Sequence, residues 1–135
     1  MQLLEAPGDY RPDDIEQVMS SYVETALWAS CDEHDVPMDE NYDAGDIMPA
    51  SLDEARGEVA DFLAANRDTI ERVRAQHPNY GLSQVGHDFF LTRNRHGAGF
   101  WDHGLGEDGD TLSDAAKVYG SSNLEEYGEG RLYFV

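Results

Sequence analysis

The sequence predicts an α+β domain in which two N-terminal helices pack on a small antiparallel sheet. Three observations predict it. Apolar residues recur at three- and four-residue steps in two stretches of the first 75 residues, β-prone aromatic runs follow Gly81, and two short strand-like runs near the C-terminus flank Gly128-Glu129-Gly130. The chain has 135 residues, 40% of them hydrophobic and 10% aromatic, enough for one core and too few for two full domains. Residues 1–135 are therefore read as a single domain, with 1–11 as a flexible lead-in.

The first helix is predicted over Pro12–Ser30, where Ile15, Val18, Met19, Tyr22, Val23, Ala26 and Leu27 share a face. Pro12 suits a first helical position, and Asp13 and Asp14 suit the positive end of the dipole. The polar stretch from Cys31 to Asp46, which contains Pro37, reads as a loop. Ser51-Leu52-Asp53-Glu54 has the capping-box form, and Leu52, Ala55, Val59, Phe62, Leu63, Asn66, Ile70 and Val73 continue a second helix from about 52 to 75, ended by His77-Pro78. His87–Arg93 and Ala98–His103, joined through Asn94-Arg95-His96-Gly97, read as a central hairpin. Gly104, Gly106 and Gly109 mark a loop, Thr111-Leu112-Ser113-Asp114 opens a short third helix stopped by Gly120, and Leu124–Tyr127 with Arg131–Val135 read as a closing hairpin or a pair of short edge strands.

Charge narrows the function classes. The chain carries 28 acidic against 9 basic residues, for a net charge of −19. The first 50 residues hold 13 acids and only Arg11, whereas 86–105 is neutral and aromatic-rich. A surface of this sign repels phosphates and anionic lipid heads, so direct binding to nucleic acid or membrane is disfavoured; it attracts metal ions, basic ligands and the basic grooves of nucleic-acid-binding proteins. No apolar run reaches the ~18 residues of a membrane span, and Met1–Pro12 lacks the layout of a signal peptide. With Cys31 as the sole cysteine, the expected compartment is the reducing cytoplasm.

Tyr22–Trp28, Asp39-Glu40-Asn41-Tyr42 and above all the run Gly86-His87-Asp88-Phe89-Phe90-Leu91-Thr92-Arg93-Asn94-Arg95-His96-Gly97-Ala98-Gly99-Phe100-Trp101-Asp102 carry a resemblance. Over roughly residues 20 to 135 the chain resembles a family of small acidic proteins of bacteriophages, prophages and mobile elements, one with no settled activity. The resemblance implies a phage-type accessory protein working in the host cell. One departure is Arg95, which stands where glycine or another small turn former is expected. The sole lysine, Lys117, and the excess of Asp over Glu also resemble proteins of salt-loving hosts.

The densest constellation of chemistry lies in the expected hairpin. His87, Thr92, Arg93, Asn94, His96, Trp101 and Asp102 are the candidate ligand-binding residues, offering forked hydrogen bonds and stacking to an anionic or aromatic ligand. The alternative is that Arg93 with Asp102, or Arg95 with Asp88, only pair across strands. His87, His96 and His103 with Asp88 and Asp102 are the residue types that bind transition metals, but no pair has a spacing such as HExxH, so no metal is assigned. Asp39, Asn41 and Asp43 match the first positions of a calcium loop, which then fails at Ala44 and Ala50. Cys31 and His34 sit among Asp32, Glu33 and Asp35, a poor setting for a thiolate. No catalytic residue and no cofactor is assigned; an enzyme would need His87 or His103 as base, oriented by Asp88 or Asp102.

The leading expectation is an interaction protein whose partner is a basic or nucleic-acid-binding host protein. Asp32, Glu33, Asp35, Asp39, Glu40, Asp43 and Asp46 form its candidate acidic surface, a nucleic-acid-like charge pattern suited to inhibiting a host nuclease or defence protein. Two alternatives stand beside it: a small-ligand or peptide module using 87–103, and a generic acidic protein of a salt-adapted host or its virus. Mimicry predicts clustered acids, and salt adaptation predicts even coverage.

Overall fold

The computed structural model describes residues 10–97, 99–128 and 130–135, and helices dominate them. Five α-helices run in order, α1 Pro12–Ala29, α2 Pro49–Ala65, α3 Arg67–Gln76, α4 Leu82–Arg93 and α5 Glu107–Lys117, and one antiparallel pair follows, β1 Leu124–Tyr127 with β2 Arg131–Phe134. No described helix is long and apolar enough to cross a membrane. Of the lead-in over 1–11, only Tyr10 and Arg11 fall within the described residues.

α1 begins at Pro12 as its sequence dictates, with the Asp14 carboxylate accepting from the Arg11 amide at 2.9 Å. Its apolar face, Val18, Met19, Tyr22, Val23, Ala26 and Leu27, packs mainly on α4. The two helices meet at Gly86, where a Cβ would collide with the Val18 carbonyl and crowd the Tyr22 amide, and the Ser21 hydroxyl donates to the Ser83 carbonyl at the same crossing. Around this contact Phe62 stacks on Phe89 at 4.3 Å between ring centroids and on Phe100 at 5.7 Å, and Tyr22 meets Phe90 edge-on.

The expected architecture of two helices on a sheet is corrected here. The segment 87–103 is not a hairpin: its first half is the C-terminal part of α4 and its second a loop leading to a 3₁₀ turn over Phe100–Asp102. Asn94-Arg95-His96 is a helix stop in place of a strand turn. The Arg95 amide donates to the Thr92 carbonyl at 3.1 Å and the His96 amide to the Leu91 carbonyl at 2.9 Å, with Arg95 at φ 60°, which is the Schellman arrangement. Glycine adopts that left-handed backbone more readily than arginine does. The strand pattern misled because α4 is buried on almost every side, so its aromatic run shows no helical periodicity.

Two boundaries also move. The helix expected over 52–75 is two, broken at Asn66, whose Nδ2 donates to the Phe62 carbonyl at 2.9 Å. The third helix starts at Glu107 instead of Thr111, and Gly109 lies against Leu105 and the Phe100 carbonyl, where a Cβ would be crowded. The terminal pair forms over the expected residues with Leu124 opposite Phe134 and Tyr127 opposite Arg131. Its outer edge is tied down, since Met48 N–H donates to the Leu132 carbonyl at 2.9 Å and Phe134 N–H to Ser51 Oγ at 2.7 Å.

Candidate functional site

Helical spacing on α4 brings Gln84, His87 and Asp88 to one side, three and four residues apart. The backbone after Phe100–Asp102 carries His103 back to the same place. The result is a polar centre built on one carboxylate. Asp88 is fully buried, and its Oδ1 lies 2.9 Å from His87 Nδ1, 2.9 Å from His103 Nε2 and 3.1 Å from Gln84 Nε2. Its other oxygen, Oδ2, accepts from the Tyr80 hydroxyl at 2.6 Å. Burial first, and then the Asp88 charge, push the Tyr80 phenol well above its ordinary pKa, so it remains a donor. Both imidazoles keep a little over a quarter of their side-chain surface exposed. Trp28 packs beside His87, and Tyr80 stands edge-on to His103. The centre opens on a groove of about 340 Å³ whose wall includes Tyr80, Gln84, His103 and Leu105.

The other candidate ligand residues are dispersed. Arg93, 2% exposed, is a structural anchor: Nη1 donates to Glu58 Oε1 at 2.7 Å and to the Tyr22 hydroxyl at 3.2 Å, while Nε donates to the Gly120 carbonyl at 2.9 Å. Its guanidinium also lies over the Phe89 and Tyr119 rings. Neither pairing weighed from the sequence forms, since Arg93 pairs with Glu58 and Asp88 with the two histidines. Thr92 Oγ1 accepts from the buried Phe100 amide at 3.1 Å, and Asn94 bridges the Phe90 carbonyl and the Ser122 amide. His96 stacks on Phe90, and the exposed Trp101 lines a smaller pocket of about 220 Å³ with His96. Asp102 is exposed. Only His87 of that set joins the polar centre; Tyr80, Gln84, Asp88 and His103 complete it. The four-residue step from Gln84 to Asp88 signals their shared face only once the segment is recognised as helix.

The acidic segment 31–46 is a fixed loop. Asp32 Oδ1 accepts from the amides of His34 at 2.7 Å and Val36 at 3.1 Å, and these bonds, that from Val36 foremost, hold its carboxyl below the ordinary aspartate range. Asp43 Oδ1 accepts from the Gly45 amide, and Asp46 Oδ2 accepts from the Asp43 amide, each at 2.9 Å. Between this loop and β1 lies a groove of about 450 Å³ with Asp32, Glu33, Glu125 and Glu126 among its walls and Ala29, Met38 and Leu124 as its apolar lining. Glu126, interacting with the Tyr42 hydroxyl, raises that phenol above its ordinary pKa.

Five arginines are engaged elsewhere. Arg56 pairs with Glu16 and Asp53, Arg67 with Asp68, Arg72 with Asp108, Arg74 with Glu71 and Arg93 with Glu58. Among the described residues, no Arg or Lys forms a salt bridge with the seven carboxylates of 31–46 or with Glu125 and Glu126; His34 Nε2 lies 3.4 Å from Glu33 Oε1. Compared with protein-family models, curated proteins and solved structures, the chain matches none.

Proposed function

We propose that this chain is an acidic interaction protein that binds the basic surface of a nucleic-acid-handling protein, as a phage-type accessory factor would. The observation that carries the reading is the segregation of charge. The loop 31–46 carries seven carboxylates and no Arg or Lys, whereas α2 to α5 interleave their acids with Arg56, Arg67, Arg72, Arg74, Arg93 and Lys117. The loop is held by its own amide bonds, so its charges are offered in a set arrangement, as electrostatic complementarity requires. The groove beside it combines an apolar lining with a carboxylate rim, which suits the stem and head of an inserted arginine or lysine.

The test is capture from host lysate at low and high salt, beside a variant carrying Glu33→Gln, Asp35→Asn, Glu125→Gln and Glu126→Gln. These positions spare the loop's own amide-binding carboxylates. Capture of a nucleic-acid-binding protein that added duplex DNA releases, and that the variant loses, supports the reading. Identical capture by wild type and variant overturns it. A second reading, a small-ligand module working through the 87–103 segment, is favoured by the convergence of His87 and His103 on Asp88 beside a groove.

A further inference from the structure

We infer that His87, Asp88 and His103 form a binding site for a first-row divalent transition-metal ion, with Gln84 or a water as a further ligand. The inference is independent of the acidic-face reading and gives chemical content to the small-ligand one. Imidazole nitrogen and carboxylate oxygen are the donors that zinc and iron-type ions take. The three donor atoms lie within 4.8 Å of one another, and unlike an exposed acidic cluster they are gathered on a fully buried carboxylate.

Spacing supports the assignment. Ligands about 2.0–2.1 Å from an ion stand about 3.0 Å apart in octahedral and about 3.3 Å apart in tetrahedral geometry. Gln84 to His87, His103 and Asp88 is 3.2, 3.3 and 3.1 Å, and each histidine nitrogen is 2.9 Å from Asp88 Oδ1. Five of the six edges of a four-ligand shell thus fall in or next to that range.

Asp88 Oδ1 gathers Gln84, His87 and His103 around one oxygen, at 3.1, 2.9 and 2.9 Å. A cation seated among them would take a lone pair from each imidazole nitrogen and from the carboxylate, with the Gln84 amide turned to offer oxygen. Tyr80 completes the design: its bond to Oδ2 fixes the carboxylate and leaves Oδ1 for the ion, the usual task of an outer-shell partner. The groove beside His103 leaves room for an exchangeable ligand.

The experiment uses tag-free, chelator-treated protein titrated with Co²⁺ and, separately, with Zn²⁺. Wild type is expected to develop a visible ligand-field absorption that saturates at one equivalent, and Zn²⁺ is expected to raise its Tm. His87→Ala and His103→Ala, both at partly exposed positions, should each weaken binding more than about tenfold, the lower bound for disturbing a metal's ligand environment. Asp88→Asn should abolish it if folded, but its burial makes the two histidine variants the deciding ones. His77→Ala, a groove neighbour outside the cluster, should bind as wild type. Circular dichroism verifies the fold of each variant. Absence of a Co²⁺ spectrum and of a Zn²⁺ shift in wild type overturns the site, as does unaltered binding in either histidine variant. Either failure leaves the lysate experiment on the acidic face unaffected.

Discussion

The Tyr80 hydroxyl donates to the buried Asp88 carboxylate at 2.6 Å, joining the loop before α4 to a side chain one turn and a half into it. Tyr80→Phe removes the donor and leaves Asp88 Oδ2 unpaired in a dry setting. The expected cost is about 1–3 kcal/mol, the penalty for a stranded buried acceptor, read from chemical denaturation. A change under about 0.5 kcal/mol would mean that water replaces the phenol.

Buried Arg93 pairs with the half-buried Glu58 and also bonds the Gly120 and Tyr119 carbonyls. Arg93→Ala is expected to destabilise the fold by more than about 2 kcal/mol, as breaking a buried hydrogen-bond and salt-bridge network does. Arg93→Lys should recover only part of this, since an ammonium cannot reproduce the fork or its stacking. Equal stability of the lysine variant and wild type in urea would contradict the anchoring role.

Arg95→Gly is expected to stabilise. A non-glycine residue in the left-handed region costs about 1–2 kcal/mol, and glycine returns about 0.5–1 kcal/mol of that through its freer unfolded chain. A net gain of up to about 1.5 kcal/mol follows, visible as a Tm rise of a few degrees. A lower Tm would show that the Arg95 side chain makes a compensating contact.

Gly86→Ala should weaken the α1–α4 contact, because the added methyl meets Val18 backbone in place of a side chain that can swing aside. Overpacking of this kind costs about 1–3 kcal/mol. Gly57→Ala on α2, where nothing stands within 4 Å of the new methyl, is the control and should be neutral or stabilising.

Acid should loosen two surface features in a defined window. Asp108 is held below its ordinary pKa chiefly by the Arg72 hydrogen bonds, and Asp32 by the Val36 and His34 amides. A depressed folded pKa means that each contribution is fully present above the unfolded aspartate value near about 3.9 and is lost as pH falls through the lower folded value. Carboxyl titrations followed by NMR should give both groups midpoints below those of exposed carboxylates. Arg72→Gln should return Asp108, and not Asp32, to the ordinary range; movement of both would contradict separate causes.

Much of the outer frame was legible in the sequence. The amphipathic spacing of Ile15 to Leu27 and the glycines at 128 and 130 mark α1 and the terminal hairpin correctly, because both elements keep one face in water and so alternate visibly. The centre was not legible for the converse reason. α4 buries polar and apolar residues alike, Asp88, Thr92 and Arg93 among Phe89, Phe90 and Leu91, and each polar group has partners inside the protein, those of Arg93, Glu58 and Tyr22, being distant in sequence. A segment whose polar groups are internally partnered looks like a half-solvated strand. Of the polar centre only His87 belongs to the candidate ligand set, and its convergence with Asp88 and His103 depends on the 3₁₀ turn at Phe100–Asp102, which no periodicity announces.

Cys31 lies exposed on the wall of the acidic groove and is the sole thiol of the chain. A maleimide dye would therefore attach at one known position, bordering the carboxylates of 31–46 and away from the buried aromatic core. Its brightness and anisotropy would then track occupancy of that groove in real time, turning an accident of composition into a built-in reporter for any basic partner that docks there.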